Sequence, residues 1–291
     1  MVPAPSGADA NPGHADWRTY DGIAETYERV SAPRTAQVAA DLVAMASPPA
    51  GGRVLDVGTG TGVVAEAGQK AVGDDGVAVG VDASTGMLAV GSRVRPSLRL
   101  VAAEAIDLPF HDATFDVATA GFVLSHFTRY QTALFDMVRV LKPGGRLVAS
   151  SWAGTDDEFQ KTWRQLTDDV ATHELVQDAL DRAMPWEARF HDARLVDETL
   201  RAAGLHPVRV ERREYRFRMS LEDYVASRET AASGRFVHDM LGPQDWEWFR
   251  QRAMATFRER FPDPLTDFRD VLLAMGTKPE GWTGQDSQTR R

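Results

Sequence analysis

The chain contains no cysteine. Disulfides, cysteine-ligated zinc and a thiol nucleophile are therefore excluded, and the redox compartment stays open. Lysine is scarce: Lys70, Lys142, Lys161 and Lys278 are the four among 33 basic residues. Formal charge is −9, a poor match for a polyphosphate backbone, so nucleic acid is not an expected partner. No apolar run reaches membrane-spanning length, and the start of the chain lacks the basic-then-apolar order of a signal peptide. A cytoplasmic location away from membranes is the expectation. The histidines, at positions 14, 111, 126, 173, 191, 206 and 238, are scattered without ligand spacing, so no metal site is expected.

With 291 residues and 43% apolar content, the chain can bury a core of normal size. It reads as one large domain or one domain with a sizeable insertion. Residues 1–16, "MVPAPSGADANPGHAD", and 280–291 read as disordered tails. Between them, "WRTYDGIAETYERV" places Tyr20, Ile23, Tyr27 and Val30 at helical spacing, and a second helix follows Pro33. Residues 17–50 thus form an N-terminal helical segment.

Strands and helices then alternate. "RVLDV" (53–57), "GVAVGVD" (76–82), "SLRLVAAE" (97–104), "TFDVATAGF" (114–122) and "RLVASSW" (146–152) read as strands with helices between them. Lys142-Pro143-Gly144-Gly145 reads as a helix stop. Such alternation implies an α/β fold with a doubly wound, mostly parallel sheet. Residues 155–184 read as polar, irregularly amphipathic helix, and Asp192 and Gly204 bracket another helix. "HPVRVERREYRF" predicts an antiparallel strand near an edge, and "FRDVLLAMGTKP" a final strand. The sheet-bearing core is therefore expected over 51–219 and 265–279. Residues 220–264, about 45 residues of short helices, are too many for a connecting loop and predict a cap inserted before the last strand.

The stretch "RVLDVGTGTG" places Asp56 before Gly58, Gly60 and Gly62. A dinucleotide turn wants Gly-x-Gly-x-x-Gly, but Val63 stands where its third glycine belongs. A plain strand–helix turn is the alternative reading. The second strand ends at Asp82, where an acid can accept from both hydroxyls of a ribose. The third runs into Glu104, which can accept from an adenine amino group. Either acid alone can equally be a solvated strand-end charge.

Taken together, "VLDVGTGTG", "VGVDAS" with Met87 downstream, "AEAIDLPF", "FDVATAGFVLSHF" and "RVLKPGG" resemble class I S-adenosylmethionine-dependent methyltransferases. The similarity is to the small-molecule branch of the ubiquinone/menaquinone-biosynthesis type, and it covers about residues 17–152 well. It implies a seven-stranded Rossmann-like methyltransferase fold with S-adenosyl-L-methionine as cofactor. By that resemblance Gly58 and Gly60 bring backbone against the methionine part and Asp56 anchors the glycine loop. Asp82 holds the ribose, Met87 packs on the adenine, and Glu104 with Ala105 reads its edge. Thr59, Ala83 and Ala120 join this set from the same motifs. At position 104 the family commonly has Asp, and this chain has the longer Glu. Tyr20 and Tyr27 would cover the cofactor if the N-terminal helix folds across it as a lid; ordinary packing of an amphipathic face is the alternative.

The fourth strand leads to Phe122, Ser125 and His126, near the expected methyl position. His126 is the candidate general base, titrating near 6.5; packing or capping in the next turn is the other reading. Trp152 and the Trp246/Trp248/Phe249 group can wall an apolar pocket or pack inside a cap. His111 reads as a solvated loop residue.

The expected activity is methyl transfer to a small apolar or aromatic metabolite, onto oxygen first, with nitrogen or carbon as alternatives. The Arg- and Ala-rich composition suggests natural-product biosynthesis. The expected assembly is a monomer or homodimer. One rival is the same fold recruited to non-methylating chemistry. Another is a nicotinamide-dependent dehydrogenase, against which the shifted glycine speaks. A nucleic-acid methyltransferase lacks support, because "AGFVLSH" replaces the Asn/Asp-Pro-Pro-aromatic signature used on flipped bases.

Overall fold

The computed structural model describes residues 19–154 and 157–284. The expected tails at 1–16 and beyond 284 lie outside them. A short 3-10 turn, Asp21–Ile23, opens into helices α1 (Ala24–Val30) and α2 (Ala32–Ala46). Strand β1 (Arg53–Val57), α3 (Val63–Val72), β2 (Val77–Asp82), α4 (Thr85–Val94) and β3 (Arg99–Ala102) follow. Next come β4 (Phe115–Gly121), α5 (Tyr130–Val140), β5 (Leu141–Trp152), α6 (Glu158–Asp168), α7 (His173–Ala183), α8 (Glu187–Phe190) and α9 (Ala193–Ala202). The chain closes with β6 (Val208–Met219), α10 (Leu221–Thr230), α11 (Ala232–Arg260) and β7 (Leu265–Thr277).

The seven strands form one sheet in the order β3-β2-β1-β4-β5-β7-β6. Strands β1 to β5 pair in parallel, and β7 runs antiparallel between β5 and β6. The order therefore reverses between β1 and β4, and ligand sites in such sheets open beside the carboxyl ends at that point. Val54, Leu55 and Val57 of β1 are fully buried because helices cover both sheet faces. Leu55 and Val57 join Leu134 and Met137 of α5 on one face, and Val54 joins Val38 and Leu42 of α2 on the other.

Several elements differ from their sequence reading. Lys142–Gly145 does not separate helix from strand. β5 starts at Leu141, opposite Phe115, and the four residues loop out before Arg146 pairs with Val117. Lys278 ties the loop back: Gly144 N donates to its carbonyl at 2.9 Å, and its own N–H donates to Gly145 at 2.8 Å. Residues 157–183 are two helices, α6 and α7, with Thr172 capping the second through Leu175 N–H. Trp163 and Leu166 of α6 share an apolar cluster with Tyr224 of α10 and with Trp246, Phe249 and Phe257 of α11. The helical layer over the sheet thus draws on two chain segments, where sequence pattern marked only 220–264. Trp282 packs against Phe135 and under the Lys278 ammonium, so residues 280–284 are held to the core.

α11 is broken at Gly242, which adopts φ +73° ahead of Pro243. No helix among the described residues is long and apolar enough to cross a membrane.

The turn from α10 into α11 depends on a close approach. A Cβ on Gly234 would run into the Arg228 carbonyl, backbone that cannot swing aside. Gly234→Ala should destabilise the protein by about 1–3 kcal/mol in urea unfolding. Gly281→Ala, where a Cβ meets nothing within 4 Å, should leave the midpoint unchanged. Equal midpoints for the two variants would show that the α10–α11 contact relaxes freely.

Candidate functional site

A cavity of about 1280 Å³ opens at the carboxyl ends of β1, β2, β3 and β4 and runs beneath the helical layer. Its floor at one end is the glycine loop after β1. Gly58 adopts φ +70°, and a Cβ there would sit 2.8 Å from Val123 Cβ, so only glycine lets the β4 loop pass this close. Gly60 adopts φ +56° and has nothing nearer its Cβ position than Tyr27 at 3.9 Å, which leaves its backbone open to the cavity.

Asp56 lies under this loop and does not line the cavity; it is 1% exposed. It accepts from Thr59 Oγ1 and from Thr119 Oγ1, each at 2.6 Å, so one carboxylate ties the loop to β4. Burial pushes its pKa up to about 6 against the pull of the two hydroxyls. Thr59 is spent on this bond and, like Asp56, sits beneath the surface. Ala120 is enclosed in the core on β4 and does not reach the cavity; strand alternation hands that role to Gly121 and the following Phe122.

Asp82 ends β2 on the cavity wall. Its Oδ2 accepts from Gly60 N–H at 2.7 Å and its Oδ1 from Ser84 N–H at 2.9 Å. Burial raises its pKa, opposed by those backbone donors. Each oxygen keeps a free lone pair, enough to accept from two neighbouring hydroxyls. Ala83, Met87, Glu104 and Ala105 continue the same wall. Met87 is buried against Tyr20, Ala24 and Tyr27. Glu104 is exposed and faces the cavity from the end of β3.

The N-terminal segment closes this end from above. Tyr20 meets Tyr27 edge to face at 6.4 Å, and burial beside Tyr20 pushes the Tyr27 hydroxyl pKa up. Asp21, which sequence reading passed over, pins the segment down. Its Oδ1 accepts from Ser84 Oγ and from Gly86 N–H, both at 2.7 Å, and these bonds lower its pKa. A Cβ on Gly86 would lie 2.7 Å from Asp21 Cα, so the glycine was the available clue.

Across the cavity, Phe122 holds a left-handed backbone, φ +56°, rare for an aromatic residue. It stacks on Trp152 at 4.2 Å, and the pair forms one wall. His126 closes the 3-10 turn after β4 and meets Tyr20 edge to face at 5.7 Å. Its surroundings overturn the expected titration near 6.5: burial, helped by the Arg235 charge, pushes its pKa down to about 4. Arg235 stacks on the same Tyr20, its guanidinium carbon 4.1 Å from the ring centroid. Trp246 and Phe249 are buried inside the helical layer and Trp248 is exposed, so this group packs rather than lining the cavity.

The donor set fits an adenosyl group bearing a methionine tail. It combines open backbone at Gly60, an acid with spare lone pairs, a Met87 floor under two tyrosines, and Glu104 at the next strand end. A model of the methyltransferase domain family matches residues 55–149. The chain carries a class I S-adenosylmethionine-dependent methyltransferase domain. This methyltransferase domain runs from β1 through β5. A demethylmenaquinone methyltransferase of Beutenbergia cavernae is 44% identical over 115 residues, 39% of this chain and 46% of that protein. The chain therefore spans less than half the length of the curated relatives it matches. Among solved structures, the 4+2 cyclase SpnF is similar over 90% of this chain and 94% of its own, at TM-score 0.55 and 22% identity. Phosphoethanolamine N-methyltransferase 2 of Haemonchus contortus, solved with S-adenosyl-L-methionine, is similar over 92% and 61%, at TM-score 0.54 and 19% identity. At these identities the likeness establishes the fold.

The His126 environment has a measurable consequence. Its ring resonances should titrate near pH 4, and Arg235→Gln should move the midpoint upward by removing a like charge. Because the folded value lies below the unfolded one, the folded protein binds this proton less readily. The stability this neutral histidine contributes is full above about pH 6.5 and is lost as pH falls toward 4. An NMR midpoint at 6.5 in the folded protein would contradict the burial described.

Proposed function

We propose that the protein transfers a methyl group from S-adenosyl-L-methionine to a small, largely apolar or aromatic metabolite, with oxygen as the favoured acceptor atom. The observation that carries this reading is one cavity that brings the Gly58–Gly60 backbone and Asp82 together with His126 and the Phe122–Trp152 wall. When bound, the cofactor supplies an electrophilic methyl group on a sulfonium.

The chain's own residues do the rest. Asp82 accepts from the ribose hydroxyls with the lone pairs that Gly60 and Ser84 leave free. Met87 supports the base from below, Tyr20 and Tyr27 cover it, and Glu104 with Ala105 meets its edge. Asp56 and Thr59 hold the loop from beneath. Phe122 and Trp152 align a flat acceptor, and positioning of this kind supplies much of the rate gain in a displacement. Neutral at working pH, His126 can take a proton from an acceptor hydroxyl. No carboxylate partners its ring among the described residues, so it would act alone, without the third member of a charge-orienting triad. Composition suggests a natural-product intermediate as acceptor.

A second reading, cofactor binding with non-methylating chemistry, is kept because one structural relative is a cyclase. Turnover of the methyl donor with a found acceptor separates the two.

Calorimetric titration tests the donor end. The protein should bind S-adenosylmethionine and S-adenosylhomocysteine, and Asp82→Ala should weaken both by about ten- to hundredfold, the worth of charge-assisted bonds of about 1.5–3 kcal/mol. Unchanged affinity in a folded variant would remove Asp82 from the site. Once an acceptor is known, His126→Ala should lower single-turnover rates by about two orders of magnitude with cofactor affinity held. With His126 as base, the wild-type rate should be flat from about pH 6 to 8 and fall only as pH approaches 4. A loss below about fivefold would move the acceptor atom to nitrogen or carbon.

A further inference from the structure

Of the arginines that line the cavity, three from separate elements gather at the end where α2, α10 and β7 meet: Arg34, Arg228 and Arg269. Arg34 and Arg269 are deeply buried, at 9% and 7% exposure. Both lean on Asp267, itself fully buried: Arg34 Nη2 is 2.7 Å from Oδ2, and Arg269 Nε is 2.9 Å from Oδ1. Arg269 Nη1 also lies 3.4 Å from Asp157. Arg228 has no ion pair among the described residues; its guanidinium carbon sits 5.4 Å from the Tyr224 ring. Among the described residues, these three positive charges meet two negative ones, Asp267 and Asp157.

Among the described residues, Arg34 Nε, Arg228 Nε and Arg269 Nη2 are three buried N–H donors without an acceptor; Ser150 Oγ on the same cavity is also unpartnered, and Asp267 Oδ1 has its ion pair with Arg269 but no hydrogen bond. Burial and the neighbouring Arg228 charge push the Arg34 pKa down to about 10, whereas for Arg269 burial is outweighed by the pull of Asp267, Tyr224 and Asp157, which raises it. A desolvated guanidinium without an anion is costly, and proteins hold one where a ligand supplies the missing charge.

Resting on the methyl-transfer reading above, we propose that this end of the cavity binds a single carboxylate on the acceptor substrate, making the acceptor an aromatic or polycyclic acid. One surplus positive charge calls for a monoanion. Forked guanidinium donors match the two oxygens of a carboxylate. Arg34 lies 6.0 Å from the Trp152 ring, which places the charge beside the Phe122–Trp152 wall that would hold the aromatic body. The cavity is then polarised: Asp21, Asp82 and Glu104 face the cationic donor, and the arginines face the anionic acceptor. All three arginines fall outside residues 55–149, the stretch that the family model matches.

The test compares 2-naphthoate with its neutral isostere 2-naphthamide by calorimetry, with and without S-adenosylhomocysteine. Naphthoate should bind the wild-type protein at least about tenfold more tightly. Arg228→Gln, which breaks no ion pair and should keep the wild-type melting temperature, should remove most of that preference and leave S-adenosylhomocysteine affinity unchanged. Equal affinities for the two probes in the wild type would overturn the proposal. So would a preference that survives in both Arg228→Gln and Arg269→Gln, or tighter binding of 1-naphthyl phosphate than of naphthoate, which would assign a dianion site. Failure to bind S-adenosylhomocysteine would sink the methyl-transfer reading while the naphthoate comparison without it still decides the carboxylate.

Discussion

A nearly inaccessible carboxylate, Asp56, sets the geometry on which the site depends. It lies on β1 beside the central strand β4, at the reversal of strand order, and accepts hydroxyl bonds from Thr59 in the loop above and Thr119 on β4. A buried carboxylate is expensive unless satisfied, so the arrangement is close to all-or-none: either both hydroxyls are in place or the charge is stranded. With them in place, the loop cannot drift from β4. The position of Gly60 follows, and Asp82 is then fixed through the Gly60 N–H. The acid that faces the cavity is oriented by the acid that does not.

The N-terminal helix depends on this frame in turn. Asp21 reaches the Ser84 turn just past Asp82, while Glu25 and Glu28 pair with Arg93 and Arg95 at 2.6 and 3.0 Å. The Glu25–Arg93 pair is exposed on both sides and holds little by itself. The apolar seating of Tyr20, Ala24 and Tyr27 on Met87 and Val90 carries more. The segment is thus seated on α4 by this patch and tied to α10 by the Arg29–Asp223 pair.

Sequence pattern revealed what is local and hid what is not. The central strands are legible because both sheet faces are covered, which makes Val54, Leu55 and Val57 a continuous apolar run. Gly58 and Gly60 are legible because their backbone angles exclude other residues, and Asp82 because a strand-end acid stands at a fixed distance from them. The helical layer was only half visible. Trp163 and Phe249, 5.5 Å apart in space, are far apart in sequence, and no periodicity links them. Ala120 and Thr59 carried family roles in the motif, yet strand alternation and one hydroxyl bond turn them away from the cavity. The His126 titration depends on burial and on the charge of Arg235, brought near by a helix more than a hundred residues later. The arginines of the far end were unreadable for the same reason, since α2, α10 and β7 meet only in three dimensions.

The placement of β6 and β7 carries a broader consequence. They extend the sheet beyond β5 as an antiparallel pair, and α10 and α11 are inserted between them as a helical panel packed on α6. The pocket is consequently modular. Strands β1 to β5 form an unbroken parallel block whose internal register owes nothing to the panel. The opposite wall, drawn from α2, α6, α7 and α10, can be recharged or reshaped with the glycine-loop end kept whole. A fold arranged this way can exchange one acceptor for another without rebuilding the machinery that holds the donor.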